Sequence, residues 1–101
     1  MSFTQSAHNI QLVAGRILHA NLKTADGNWV NSQIDLDQFI GNTDGWFMWD
    51  GRNFSGSATN IQLEGSFLTA ELTKADGEKR DRQRIDLNDR IGNENGQLVY
   101  V

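Results

Sequence analysis

Twelve residues from Ile34, IDLDQFIGNTDG, return from Ile85 as IDLNDRIGNENG, with the changes falling mainly on polar positions. The echo extends along the chain. SAHNIQL from Ser6 matches SATNIQL from Ser57, and LKTADG from Leu22 matches LTKADG from Leu72. Phe3 matches Phe54, Gly15 matches Gly65, and Trp49 matches Tyr100. At an offset of about fifty, roughly twenty positions are identical, so the whole 101-residue chain is an internal duplication. Two copies are too few for a solenoid or a propeller. One closed, pseudo-symmetric domain is expected.

Each copy alternates with a period of two. RILHANLK places Leu18, Ala20 and Leu22 on one face and Ile17, His19 and Asn21 on the other; SFLTAELTK repeats this with Leu68, Ala70 and Leu72 inward. ADG at Ala25 and Ala75, and NTDG and NENG further on, are hairpin signals, because glycine accepts a positive φ without steric cost. Leu36 and Ile40, like Leu87 and Ile91, are four apart and suit a short helical turn. The pattern predicts an all-β fold of about five short strands per copy. The predicted core is Ile10, Leu12, Leu18, Leu22, Ile34, Leu36, Ile40, Phe47, Trp49 and their repeats, with Trp29 in hairpin or core packing and Trp46 in exposed strand packing.

Composition excludes several functions. A formal charge of −4 argues against nucleic acid as the main partner. With no cysteine there is no disulfide framework, thiol nucleophile or thiolate zinc site. No apolar run reaches the length of a membrane helix, so no membrane insertion is expected. The N-terminus lacks a basic-then-apolar leader, a reading compatible with the cytoplasm. The sequon NFS at Asn53 is accordingly expected to stay unused. His8 and His19 lack the neighbours of a metal site or a catalytic triad, so no metal, cofactor or catalytic residue is expected. Asp35 and Asp86 recur in structural-looking motifs, which argues against a two-carboxylate glycosidase. KRDRQR, from Lys79 to Arg84, reads as a charged strand or hairpin edge, the sharper alternative being a patch for anionic glycans or phosphates.

Phe3, the run QIDLDQFIGNTDGWFMWDGRNF, then NIQLEGS and IDLNDRIGNENGQLVY, in a duplicated chain of this length, resemble the cyanovirin-N homology family. The founding cyanobacterial lectin of that family has two disulfides. Ala7, Leu22, Ala58 and Leu72 stand at the corresponding positions, so this chain is more similar to the cysteine-poor fungal branch. The resemblance implies two pseudo-symmetric, strand-exchanged halves: A, about residues 1–38 with 90–101, and B, about 39–89. It implies a monomer able to swap strands into a dimer through the Trp49–Phe54 hinge. It also implies a non-enzymatic lectin for mannose, especially the α1–2-linked ends of high-mannose oligosaccharides and glycoproteins. The alternative is a module on the same scaffold for chitin-type N-acetylglucosamine sugars or a protein partner.

By the same resemblance each half carries one shallow polar site. Site B, the favoured one, gathers Gly41, Asn42, Thr43, Asp44, Arg52, Asn53, Gly56, Ser57, Thr73, Lys74, Ala75 and Asp76. Site A gathers Ser2, Gln5, Ser6, Lys23, Thr24, Asn93, Glu94 and Asn95. Carboxylates, amides and hydroxyls suit sugar hydroxyls, which both donate and accept. Asp44 is answered by Asn95, and losing a charged acceptor costs roughly 1.5–3 kcal/mol, so A is expected to be the weaker site. The family commonly places acidic residues where this chain has Gly41 and Gly56. Read without the resemblance, the same Asn-x-Asp-Gly turn is ordinary Asx chemistry.

Overall fold

The computed structural model describes residues 3–101. Ten strands run in order: β1 (Ala7–Val13), β2 (Ile17–Lys23), β3 (Trp29–Asp35), β4 (Ile40–Thr43), β5 (Trp46–Trp49), β6 (Ala58–Glu64), β7 (Phe67–Leu72), β8 (Gln83–Asp86), β9 (Ile91–Glu94) and β10 (Gln97–Tyr100). Four short 3-10 turns separate them, at Phe3–Ser6, Leu36–Gln38, Phe54–Ser57 and Leu87–Asp89. The second and fourth were expected from the Leu–Ile spacing. The first and third were not, because a single turn buries one residue and leaves no period to read.

All pairing is antiparallel, in two three-stranded sheets, β1-β2-β3 and β6-β7-β8, and two hairpins, β4-β5 and β9-β10. The hairpins are exchanged. The end of the chain, β10, packs on β3, while β5 packs on β8. Each half therefore takes its sheet from one sequence copy and its hairpin from the other, and the molecule is a rod of 50 × 21 × 17 Å.

Local chemistry sets the crossing points. The Asp35 carboxylate caps the turn that follows it by accepting from Asp37 N at 3.1 Å, and Asp86 caps its own turn through Asn88 N at 3.0 Å. The Asp37 carboxylate then accepts from Ser55 N and Ser55 Oγ. In the other half Asn88 does this work on Thr4, accepting from its N–H and donating to its hydroxyl.

Leu18, Ala20 and Leu22, with Leu68, Ala70 and Leu72, are fully buried as expected, together with Leu36, Ile40, Leu87 and Ile91. Ile10, Leu12, Ile34, Phe47 and Trp49 are partly buried against that core. The largest buried side chains are Phe3 and Phe54, one per half. Each contributes about 1.5–3 kcal/mol by leaving water. Where the founding lectin has its disulfides, Ala7 stands directly opposite Leu22 and Ala58 opposite Leu72. Both leucines are buried, so cross-strand apolar packing occupies the place of a covalent bridge.

Of the two alternatives for Trp29, the structure has packing across the sheet and not entry into the core: the ring stands 46% exposed, stacked on His8. Only Gln83 and Arg84 of the KRDRQR run belong to a strand, and Lys79 makes a lone bridge to Thr73. The second copy has one more residue than the first between its ADG glycine and its IDL isoleucine, which shortens β8 relative to β3.

Candidate functional site

Both hairpins turn on two residues with positive φ, Asp44 (49°) with Gly45 (86°) and Asn95 (50°) with Gly96 (89°). This is the twist-matched hairpin turn that an Asp-Gly or Asn-Gly pair selects. Each turn is pinned to the neighbouring sheet by the asparagine that begins it. Asn42 accepts from Gly45 N through Oδ1 at 2.8 Å and donates through Nδ2 to Ser57 Oγ at 2.8 Å and Thr73 O at 2.9 Å. Asn93 repeats the set with Gly96 N, Ser6 Oγ and Lys23 O at 2.8, 2.8 and 2.9 Å. Both donor protons of each amide are thus committed within the protein, so neither Asn42 nor Asn93 has one left for an outside acceptor.

The next residue but one carries the difference. Asp44 Oδ1 accepts from Ala75 N at 2.8 Å, and Asn95 Oδ1 accepts from Ala25 N at 2.9 Å. Aspartate and asparagine do the same structural work here. What remains differs: Asp44 keeps a second carboxylate oxygen with no partner among the described residues, whereas Asn95 keeps an NH₂ donor. Asp44 and Asn95 are both exposed.

Around Asp44 the structure assembles Asn42, Ser57, Thr73, Lys74 and Ala75 from three segments. Thr73 Oγ1 accepts from Lys79 Nζ at 3.3 Å, and Thr43 Oγ1 donates to Met48 Sδ at 3.0 Å. Asp76 is occupied with its own turn, accepting from Glu78 N. Arg52 and Asn53 lie exposed on the linker, with Asn53 at φ 62°. Neither is joined to the Asn42 cluster by a side-chain hydrogen bond. Gly41 is buried, and a Cβ there would stand 3.0 Å from both Arg52 N and Gly51 Cα. The acidic residue common in the family could not be accommodated without moving the linker. Gly56 faces open space.

At the other end, Ser6, Lys23 and Asn93 are linked as above, and Thr24 donates to the Asp26 carboxylate. That hydrogen bond, with further help from the Asn28 N–H, holds the Asp26 carboxyl below its ordinary pKa. Gln5 and Glu94 are exposed at the rim. Ser2 lies outside the described residues. The cavity of about 550 Å³ lined by Ile10, Leu12, Ile61 and Leu63 lies between β1 and β6, away from both clusters. Asp44 and Asn95, at the tips of the two clusters, are exposed and lie apart from that cavity.

The family model of the CVNH domain matches residues 3–99. A cyanovirin-N homolog from Tuber borchii is 48% identical over 103 residues, covering 99% of each chain. The chain belongs to the CVNH family. Its backbone superimposes on the T. borchii structure with a TM-score of 0.89, and on a designed cyanovirin-N homolog lectin with 0.93 at 41% identity, each covering both chains fully. Two ligand-bound structures are also similar at 27% identity. One is a microvirin:mannobiose complex, with a TM-score of 0.87 over 99% of this chain and 98% of that one. The other is a MoCVNH3 variant in complex with (N-GlcNAc)4, with a TM-score of 0.90 over 98% and 96%. The present chain is thus a cysteine-free member with the CVNH lectin fold.

One residue at this end escaped the sequence argument. Arg80 donates from Nη2 to Asp44 O at 3.0 Å and lays its guanidinium over the exposed Trp46 ring at 3.9 Å. Its stem crowds Gly45, where a Cβ would stand 2.7 Å from Arg80 Nε. In the other half Val30 and Thr24 crowd Gly96 instead. The signal available in the sequence was the change from an apolar to a cationic residue at matched positions.

Proposed function

We propose that the protein is a non-enzymatic lectin whose half B, through the hollow around Asp44, binds α1–2-linked mannose ends of high-mannose glycans. One observation carries the reading: Asp44 spends one carboxylate oxygen on Ala75 N and keeps the other without a partner among the described residues, two residues from the Asn42 that ties Ser57 and Thr73 together. A fixed, charged acceptor suits vicinal sugar hydroxyls, each bond being charge-assisted. Microvirin, whose structure is a mannobiose complex, is a similar chain with the same fold, which supports the ligand class. Site A, with an amide NH₂ in place of that oxygen, is the weaker site for the same ligand. In solution the chain is a monomer whose Trp49–Phe54 linker, with positive φ at Asp50 and Asn53, is the hinge for a strand-swapped dimer.

Asp44→Ala would remove the bare oxygen and the Ala75 anchor together. Asp44→Asn keeps the anchor and changes only the free atom. Titration with an α1–2-linked dimannoside, followed by NMR, should shift signals of Asp44, Ala75 and Thr73 in the parent. In Asp44→Asn, affinity at that end should fall by about one to two decades with the amide spectrum otherwise unchanged. Unaltered affinity would remove Asp44 from the site, and a parent spectrum unmoved by millimolar sugar would end the mannose reading.

A further inference from the structure

The outer face of the β1-β2-β3 sheet carries an aromatic stack that neither polar cluster uses. Across the sheet His8 stands opposite Asn21, and Asn21 opposite Asn31; in the next rank Lys23 stands opposite Trp29. His8 on β1 and Trp29 on β3 lean together over the middle strand, with ring centroids 3.9 Å apart and planes 16° from parallel. Trp29 remains 46% exposed, a large apolar side chain stacked on one ring and only half covered. The side chains of Asn21, Asn31 and Lys23 around it make no hydrogen bond among the described residues.

The matched face of the other half is built to be self-sufficient. The counterparts of His8 and Asn21 are Thr59 and Glu71, a facing pair in β6 and β7, and the Glu71 carboxylate accepts from both Thr59 and Asn60. The counterpart of Trp29 is Lys79, which faces Thr73 as Trp29 faces Lys23 and donates to its hydroxyl. Polar groups that satisfy one another in half B are thus replaced in half A by a half-exposed ring with unspent amides and an ammonium around it.

We infer that this face of half A is a second carbohydrate site, taking a β-linked, gluco-configured pyranose against Trp29. The chemistry selects the class. A β-gluco ring holds its substituents equatorial, so its faces are C–H surfaces that lie on an indole, while Asn21 and Asn31 donate to and accept from the equatorial groups at its edge. An α-mannoside carries an axial oxygen on each face, O1 on one and O2 on the other, and cannot lie flat. The site is separate from the Asp44 hollow and stands whether or not the mannose reading does.

The test is an NMR and tryptophan-fluorescence titration of the whole chain with a β1–4-linked N-acetylglucosamine trimer, with a β1–4-linked glucose trimer and the α1–2 dimannoside in parallel. The N-acetylglucosamine trimer should shift the Trp29 indole N–H and the Asn21 and Asn31 side-chain amides at millimolar sugar. It should leave the Asp44 and Ala75 signals in place. An equal response to the glucose trimer would show that the ring configuration is read without the acetamide; a smaller one would show that the acetamide adds contacts. Trp29→Lys, which installs the half-B residue at an exposed position, should weaken binding by about tenfold, the scale of one aromatic contact, without disturbing the backbone spectrum. Silence at Trp29 with both β-linked trimers, an undiminished response in Trp29→Lys, or a response to the dimannoside as strong as to the trimers would each overturn the inference.

Discussion

Halves A and B share a backbone plan and diverge in what they leave unsatisfied. The same asparagine clamps each hairpin, and the same turn oxygen takes an alanine N–H from the neighbouring loop. On that common frame half B leaves one Asp44 oxygen without a partner among the described residues, and the Lys74 and Arg80 side chains crowd the turn glycine. Half A leaves an amide at the turn and an aromatic stack beside it. After a duplication, groups that close the turn have one workable chemistry, whereas the exposed groups beyond it are free to differ. Asp44 and Asn95 are interchangeable as turn residues, because the oxygen that anchors is common to both.

The largest effect should be the one that treats the halves alike. Asn42→Ala and Asn93→Ala each delete three hydrogen bonds and leave the turn N–H and sheet carbonyl without their partner, so each should cost roughly 2–4 kcal/mol in urea unfolding. A large cost at one end and none at the other would break the symmetry of the frame. Next comes the exchange that should sharpen the contrast: Asn95→Asp should raise dimannoside affinity at half A by up to the decade or two that Asp44→Asn removes from half B, read from the shifts of Ala25. Failure to gain would place the difference in the surrounding side chains rather than in the turn.

Arg80→Val gives half B the residue of half A. It removes the bond to Asp44 O and the cover over Trp46, and should cost about 1 kcal/mol of stability, since both contacts are partly exposed. Val30→Arg, the reverse graft, should not recover a matching gain, because Gln97 stands where half B has Trp46 and offers no ring to cover. The smallest effect is in pH. Asp26 is depressed by Thr24, and the corresponding pair in half B is Asp76 with Lys74 rather than a hydroxyl. A carboxyl lowered on folding stabilises fully above its ordinary value, 3.8 here, and the stabilisation fades as pH falls through the lower folded value. Amide signals of Asn28 should therefore move in the range below about pH 4, reporting a loosening of the half-A loop; a loop unmoved down to pH 2 would show that the Thr24 bond contributes nothing.

Much of this molecule was written into short stretches of the chain. The duplication, the β class, the hairpins at ADG, NTDG and NENG, and the inward faces Leu18-Ala20-Leu22 and Leu68-Ala70-Leu72 depend on alternation and on glycine at positive φ, properties that neighbours in sequence decide. The tertiary structure decided which polar groups are spent. Asp44 meets Ala75 across 31 residues and Asn95 meets Ala25 across 70, so the exchange of hairpins between the copies, not the turn sequence, determines that one oxygen is consumed and the other left. The Trp29 stack on His8 and the place of Arg80 could not be read from the sequence for the same reason. Whether a large side chain is buried, stacked or laid over a turn depends on what the closing of the two halves brings beside it, and a hydrogen bond or ring contact has no period along the chain by which to announce itself.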